Sequence, residues 1–136
     1  MKINTKIRYG LRMLVILAER GTLINTGELG ETMMVSPKYL RKLAGPLEKS
    51  NLIRSVQGIY GGYKLGRPAG EIFLTDIFGA FKESLNISSC TGDKSCPLNA
   101  ECLTRPVWQH LENIIQKEFY RLSIQDILEK HLESGT

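Results

Sequence analysis

Two helix-start signals lie close together in the first third of the chain, and they leave room for only a short helix and a tight turn. Asn25 is followed three residues later by Glu28, a spacing typical of a capping box at a helix N-terminus. Ser36 precedes Pro37, and a serine cap with proline at the first helical position opens a further helix. With the first of these helices ending near Met33, the spacing predicts a helix-turn-helix.

A glycine-rich hairpin is predicted directly after these helices. Residues 52–56 and 63–65 have the composition of short strands, and the loop 57–62 (QGIYGG) joins them. Glycine adopts the positive φ angles of a tight loop at low cost and lets the loop approach a DNA backbone closely. An amphipathic helix over residues 6–18 precedes the whole pattern. The predicted fold is therefore mainly α with a small β-hairpin, a winged helix-turn-helix.

Positive charge is concentrated in the first half of the chain. Residues 1–70 hold 12 basic and 4 acidic side chains, so 12 − 4 gives +8, whereas residues 71–136 hold 6 basic and 10 acidic ones, so 6 − 10 gives −4. This division favours a nucleic-acid partner for the first half. Ribosome-associated, membrane-surface and simply solvated basic faces have the same charge pattern. The residues expected on the exposed face of the second short helix are Lys38, Tyr39, Arg41 and Lys42.

A long amphipathic helix is predicted after residue 104, where Thr104 and Pro106 form a start signal. Its apolar positions recur every three to four residues and are Val107, Leu111, Ile114, Ile115, Phe119 and Leu122, with Trp108 beside them. Little of the domain is left for this stripe to pack against, so it is expected to meet the same helix of a second copy and form a homodimer. Folding back within the chain is the alternative.

The second half is predicted to contain two shorter helices as well. Thr75 is expected to cap a helix through Ser84, and Ser123 a last one through Leu132. The chain then divides into a DNA-binding domain at 1–70, a connecting helix and cysteine loop at 71–103, and a dimerisation helix with the last short helix at 104–136.

All three cysteines fall in one polar loop, at Cys90, Cys96 and Cys102, with five residues between neighbours. Three thiols in a chain expected to be cytoplasmic argue against a disulfide framework. The spacing differs from the C-x2-C to C-x4-C knuckles of zinc sites. Thiolates on a glycine-containing loop suit an iron–sulfur cluster. A thiol redox switch with a disulfide between two of the three, zinc, or no metal are the alternatives that the spacing leaves open.

Membrane, secretion and enzyme signals are not recognisable in the sequence. The longest apolar stretch, residues 13–18, is far shorter than the roughly 20 residues that cross a bilayer. The N-terminus carries charges and has no small-residue cleavage site, so a cytoplasmic location is expected. No nucleophile with a paired base, no acid pair and no phosphate loop is present, so the chain is not expected to be an enzyme.

Four segments together resemble the IscR, NsrR and CymR family of winged-helix transcription regulators. They are MKINTKIRYGLRML, VSPKYLRKLAGPLEKSNLI, SVQGIYGGYKLGRP and the equally spaced cysteines followed by Leu-Thr. The resemblance covers nearly the whole chain and is nearest to members with the cysteine triplet. It implies a homodimeric repressor that binds a palindromic operator in double-stranded DNA, with the recognition helix in the major groove and the wing in the minor groove. It also implies a 2Fe-2S or 4Fe-4S cluster that sets DNA affinity.

The resemblance assigns DNA-binding roles to individual residues. Those matching the start of the recognition helix are Ser36, Lys38, Tyr39, Arg41 and Lys42, and those matching the wing tip are Gln57, Gly58 and Tyr60. Arg41 and Lys42 are expected to bond guanine edges or phosphates, and Ser36 and Tyr39 to bond phosphates. The iron–sulfur-biogenesis type has glutamate at the position of Arg41, and the family commonly has arginine at that of Gln57. Operator preference is therefore not carried over.

The metal ligands that the resemblance implies are Cys90, Cys96 and Cys102. The iron–sulfur-biogenesis type adds a histidine where this chain has Arg105, and the nitric-oxide-sensing type adds an aspartate where it has Arg8. Arginine has no lone pair to give a metal. Glu101, water or a small thiol is therefore expected as the last ligand, at a site labile to oxygen, nitric oxide or iron shortage. A metal-free thiol switch, or control by a partner protein as in the cysteine-metabolism type, are the alternatives.

Overall fold

The computed structural model describes residues 3–88, 91 and 102–133. Its elements in chain order are α1 (Thr5–Arg20), α2 (Thr26–Met33), α3 (Pro37–Lys49), β1 (Ile53–Val56), β2 (Gly62–Leu65), a 3-10 turn (Ala69–Glu71), α4 (Leu74–Ala80), α5 (Arg105–Arg121) and α6 (Ile124–Leu128). The predicted mainly helical fold with a small hairpin is confirmed. Cys90, Cys96 and Glu101, which carry the predicted cluster, lie outside the described residues.

Helix α2 begins where the sequence predicts, but only half of its capping box forms. The side chain of Asn25 accepts a hydrogen bond from the Glu28 backbone N–H at 2.7 Å. The Glu28 carboxylate lies instead 2.7 Å from the guanidinium of Arg20, at the end of α1. The second half of the predicted box is therefore replaced by an ion pair that joins α1 to α2.

Helix α3 starts at its predicted cap and continues across its internal proline. The Ser36 hydroxyl accepts from the backbone N–H of Tyr39 at 3.1 Å. The sequence predicts that Pro46 bends or restarts the helix; the helix does not restart, since it runs unbroken to Lys49. Leu43 and Leu47, on either side of the proline, are both buried in the core, and this packing holds the helix together where the proline removes a backbone hydrogen bond.

The hairpin is antiparallel and is fixed to the body of the domain at its second strand. Ile53 pairs with Leu65, and Val56 with Gly62. The backbone N–H of Tyr63 donates to the carbonyl of Ile24 at 2.8 Å, and the N–H of Ile24 donates back at 2.9 Å. The segment between α1 and α2 thus acts as a third, one-residue strand, and it fixes the wing relative to the helix-turn-helix.

The core continues across the predicted boundary at residue 70. Ile72, Ile77, Phe78 and Ile124 are buried in the same apolar cluster as the residues of α1 to α3. The C-terminal segment returns to the winged domain through backbone bonds: the Leu74 N–H donates to the Leu122 carbonyl at 3.0 Å, and the Ile124 N–H to the Ile72 carbonyl at 2.8 Å. The predicted three segments therefore share one core, and their division remains a prediction about function.

Helix α4 differs from its predicted limits. Thr75 lies inside the helix, and the Asp76 carboxylate caps it by accepting from the backbone N–H of Phe73 at 2.8 Å. The helix ends at Ala80 rather than at Ser84. Lys82 adopts a left-handed conformation (φ 55°), and this turn closes the helix because bonds from residues 81–83 run back to its last carbonyls.

Helix α5 is divided between an internal contact and an exposed apolar face. Phe119, near its end, packs on Phe78 of α4 with ring centroids 4.8 Å apart. The earlier apolar residues, all 40–51% exposed, are Val107, Trp108, Leu111 and Ile114. The predicted apolar stripe therefore packs against the rest of the chain only at the C-terminal end of the helix. Among the residues that the structure describes, no helix is long and apolar enough to cross a membrane.

Substituting Gly62 with alanine is expected to destabilise the fold by at least about 2 kcal/mol. A Cβ at this position would lie 2.0 Å from the carbonyl oxygen of Ile24, and the φ angle of +156° is already unfavourable for other residues. Urea denaturation measures the effect. Gly45→Ala is the matched control, because nothing lies within 4 Å of its added Cβ, and alanine in a helix interior should stabilise by up to about 1 kcal/mol. Equal stability of Gly62→Ala and wild type would contradict the pairing described above.

Candidate nucleic-acid interface and cysteine segment

The N-terminal half of α3 presents a basic, exposed face. Ser36, Lys38, Arg41 and Lys42 are all exposed to solvent. Leu40 and Leu43 lie on the opposite face and are fully buried. Since the helix is held by its apolar stripe, its charged side chains are free to meet a groove of DNA, as the sequence predicts for a recognition helix.

Tyr39 lies in a less exposed environment than its charged neighbours. Its ring is half-buried and contacts Tyr9 of α1 edge-on, with centroids 5.8 Å apart. The guanidinium of Arg12 in turn lies 5.0 Å from the centroid of the Tyr9 ring. This cation–π arrangement orients an exposed arginine of α1 next to the start of the recognition helix. Sequence reasoning missed Arg12; its spacing of three from Tyr9 on a helix is the signal that places the two side chains together.

A polar cleft of about 420 Å³ separates α3 from the wing. Its lining includes Asn25, Thr26, Arg41, Ser55, Gln57 and Tyr63. The Ser55 hydroxyl donates to the Glu48 carboxylate at 2.6 Å, which joins the wing to the end of α3. Burial, followed by the nearby charge of Glu48, raises the pKa of Tyr63, with the charge of Arg41 acting in the opposite direction. The cleft thus brings a recognition-helix arginine and a wing-tip glutamine to one surface.

The outward face of the wing carries like charges directly opposite each other. Arg54 and Lys64 are paired across the two strands, and both are exposed. Such a pair repels and weakens the hairpin in isolation. The partners on the other face, Ile53 with Leu65 and Ser55 with Tyr63, pack toward the domain. An arrangement that costs stability in the free protein is favourable beside a polyanion, so this face is suited to phosphates.

Cys102 is the cysteine that the structure describes, and it lies just before helix α5. Its sulfur is 3.1 Å from the Thr104 hydroxyl. The pKa of this partly exposed thiol is lowered, first by the hydrogen bond from the Thr104 side chain, then by the backbone N–H groups of Thr104 and Arg105, with a smaller contribution from the Arg105 charge. Cys102 is therefore disposed to be a thiolate, the form that both a metal ligand and a redox thiol require.

Arg105, the residue at the position of the biogenesis type's histidine, begins α5 and stabilises the Cys102 thiolate electrostatically. Arg8 lies exposed on α1. Within the described ranges 3–88, 91 and 102–133, no three His, Cys, Asp or Glu side chains are grouped as a metal site. The predicted ligands Cys90 and Cys96 are outside those ranges, so the predicted triad stays a prediction.

Glu112 joins the middle of α5 to the segment that carries the cysteines, residues 87–102, called the cysteine segment. It is 3% exposed, although its helix is otherwise largely on the surface. One carboxylate oxygen accepts from the Ile87 backbone N–H at 2.9 Å and from the Thr91 hydroxyl at 2.6 Å. These two donors flank Cys90 in sequence. This role was not predicted, because a single glutamate on an amphipathic helix is normally a solvated residue.

Comparison with known proteins identifies the family. Residues 3–130 match the Rrf2 family, described as iron-dependent transcriptional regulators. The chain is 31% identical to the transcriptional regulator IscR of Xenorhabdus nematophila over 94% of its length and 79% of the relative, and 31% identical to protein rrf2 of Nitratidesulfovibrio vulgaris over 94% and 87%.

Solved structures agree with this match. The global cysteine regulator CymR of B. subtilis superposes with a TM-score of 0.78 at 25% identity, over 96% of this chain and 98% of that one. The oxidised form of Staphylococcus aureus CymR gives 0.73 at 30% identity over 100% of both. T. potens IscR, at 23% identity and a TM-score of 0.72, shares the fold over 100% of this chain and 93% of its own. The predicted DNA-binding regulator, rather than an enzyme, is confirmed, and the chain belongs to the Rrf2 family of transcriptional regulators.

Proposed function

We propose that this regulator binds a palindromic operator as a homodimer, acts as a repressor, and changes its DNA affinity with the state of the Cys90, Cys96 and Cys102 loop. The observation that carries the proposal is that the cysteine segment is attached to α5 at two points. Cys102 leads directly into the helix, and Glu112 holds the backbone and side chain on either side of Cys90. A change in the loop would therefore act on the helix with the exposed apolar face.

DNA contact is assigned to α3 and the wing. Arg41 and Lys42 are placed to reach base edges or phosphates in the major groove, and Ser36 and Lys38 lie at the helix start, where backbone phosphates pass. Tyr39 supports Tyr9 and Arg12 with its ring, which leaves its hydroxyl as the group for a phosphate. On the wing, Gln57, Gly58 and Tyr60 form the tip that enters the minor groove.

The exposed face of α5 supports dimerisation. Val107, Trp108, Leu111 and Ile114 form an apolar surface that a second copy of the same helix would cover. A dimer of this kind must present its recognition helices about 34 to 36 Å apart to enter successive major grooves. Movement of α5 changes that separation, and a change in separation is sufficient to alter operator affinity.

An iron–sulfur cluster is the group that the loop is best suited to hold, with the three cysteines as ligands. Cys102 fits this role because its sulfur is accessible and its surroundings favour the thiolate. Glu101, water or a small thiol would complete the site. Such a cluster supplies a redox-active centre whose stability depends on oxygen, nitric oxide and iron supply. The IscR relative and the iron-dependent family description favour this reading.

A metal-free thiol switch is the second candidate, and the same thiol favours it. A partly exposed cysteine with a lowered pKa is the kind that forms a reversible disulfide. The match to an oxidised CymR structure points in the same direction. Control by a partner protein is the third candidate, and the exposed apolar face of α5 would then contact both the second copy of the chain and the partner protein.

Anaerobic purification followed by measurement of iron, sulfide and visible absorption separates the first two candidates. We expect iron and sulfide in matching amounts, lost in Cys90→Ala, Cys96→Ala and Cys102→Ala. Leu103→Ala, next to the last ligand and almost fully exposed, should retain them. Iron-free protein after reconstitution, with a disulfide that forms and reduces reversibly, would instead establish the thiol switch.

Substituting Arg41 with alanine is expected to weaken operator binding by about 1 to 3 kcal/mol. If Arg41 reads a base, affinity is lost only for sequences that keep the preferred base at one operator position. If it holds a phosphate, affinity falls equally for all sequences, and the slope of log affinity against log salt concentration decreases by about one. Fluorescence anisotropy across a set of single-base operator variants measures both. Lys82→Asn is the control, since it removes an exposed positive charge that belongs to neither α3 nor the wing, and asparagine tolerates the left-handed conformation there. Unchanged binding by Arg41→Ala would remove this residue from the interface.

Replacing Glu112 with alanine should release the cysteine segment from α5. The Ile87 N–H and the Thr91 hydroxyl lose their acceptor, at a cost of about 1 to 3 kcal/mol, and hydrogen exchange at the Ile87 amide should accelerate. Glu112→Gln keeps an acceptor oxygen and should have a smaller effect. Lys117→Ala, an exposed change on the same helix, is the control. If DNA affinity in Glu112→Ala still responds to the cysteine loop as in wild type, the proposed connection through α5 is wrong.

A further inference from the structure

Two large, mainly apolar side chains, Ile59 and Tyr60, project from the wing tip, in contrast to the charged and polar surface around them. Ile59 is 95% exposed and Tyr60 is 90% exposed. They are the two central residues of a tight turn that is closed by a hydrogen bond from the Gly61 N–H to the Gly58 carbonyl at 3.0 Å. The central positions of such a turn project furthest from the strands. Neither side chain is covered by the domain, so their packing does not explain why they are apolar.

The turn is presented by a rigid base. Gly61 has no space for a side chain, because a Cβ there would lie 2.0 Å from the Val56 carbonyl oxygen. Gly62 is equally restricted against Ile24, to which β2 is bonded through Tyr63. The glycines on the returning side therefore hold the turn close to its own strands, and the two large side chains between them extend outward as a unit.

The surroundings of the tip indicate a polyanionic partner. Arg54 and Lys64 lie side by side on the outward face of the same hairpin, and Arg41 lies across the polar cleft. The Ile59 side chain has no group that bonds a phosphate, yet it would fit the floor of a minor groove whose backbones the cations of the same surface would contact. DNA-binding proteins use isoleucine, leucine, methionine, phenylalanine and proline there as wedges that partly unstack a base step.

We propose that Ile59 is such a wedge: it inserts at one base step of the minor groove, with Tyr60 extending the apolar contact, and so selects DNA by its deformability. The inference rests on the proposed DNA-binding function and adds to it a specificity that needs no hydrogen bond to a base. Pyrimidine–purine steps such as TA and CA unstack most easily. The operator is therefore expected to contain one of these steps beneath each wing.

The test starts from a pool of random-sequence duplexes, long enough for two half-sites about 34 to 36 Å apart, from which the full-length protein selects its preferred sequence. 2-Aminopurine is then placed at each adenine of the selected duplex, and its fluorescence reports unstacking. Wild type and Ile59→Leu should raise the fluorescence at one step per half-site. Ile59→Ser should abolish that rise, weaken binding by on the order of tenfold, and lose the preference for a flexible step when the selection is repeated.

The exposed positions of the substitutions separate an effect on DNA binding from an effect on folding. Ile59 is almost fully exposed, so its replacement should leave stability unchanged within about 0.5 kcal/mol, and Leu132→Ser, at a side chain 53% exposed near the C-terminus, should match wild type in every measurement. Selection of no duplex by wild type, in both the iron-loaded and the metal-free form, overturns the DNA-binding proposal and the wedge together. Binding without a fluorescence rise at any step, whether or not Ile59→Ser weakens it, overturns the wedge alone.

Discussion

The two backbone hydrogen bonds between Ile24 and Tyr63 are the constraint on which the DNA-facing surface depends. They join the wing to the connection between α1 and α2, so the hairpin and the helix-turn-helix form one frame instead of two elements linked by a loop. Gly62 is needed because the Ile24 carbonyl occupies the space of a side chain. With the frame fixed, the distance from Arg41 on α3 to the wing tip is set by the fold, and under the proposed function DNA would meet both in a single orientation.

Local signals in the sequence were sufficient for most of the fold. The caps at Asn25 and Ser36 act within a few residues of the chain, and for that reason they predicted the starts of α2 and α3 correctly. Pro46 does not restart α3, because its effect depends on burial of the leucines on either side, which is a tertiary property. The predicted limits of α4 were wrong for a different, local reason: the cap is supplied by Asp76 from inside the helix, and Lys82 ends it by adopting a left-handed conformation.

The candidate site was predictable where a residue type carries its own chemistry. Cysteine spacing pointed to the loop, and basic residues at the start of α3 pointed to DNA. Arg12 and Glu112 were not found. The spacing of three between Tyr9 and Arg12 is a local signal that was overlooked. The contact of Tyr9 with Tyr39, and the bonds that Glu112 accepts from a segment more than twenty residues earlier, join positions that are distant in sequence and become visible only in the folded chain.

A continuous series of contacts joins the cysteine segment, through α5, to the winged domain. Glu112 fixes the cysteine segment to α5, and Phe119 fixes the end of α5 to Phe78 in the core. Beyond Phe119, the chain is bonded back to Leu74 and Ile72 at residues 122 and 124, so α5 cannot shift at its C-terminal end without disturbing the winged domain. Within the described residues, the backbone bonds that tie this region to the core lie at the C-terminal end of α5, and Glu112 is the buried side chain of the helix. Under the proposed function, a change in the loop would pivot α5 about its C-terminal end, and the exposed apolar face, which lies toward the N-terminal end, would move most. A dimer formed on that face would convert such a pivot into a change in the distance between the two winged domains.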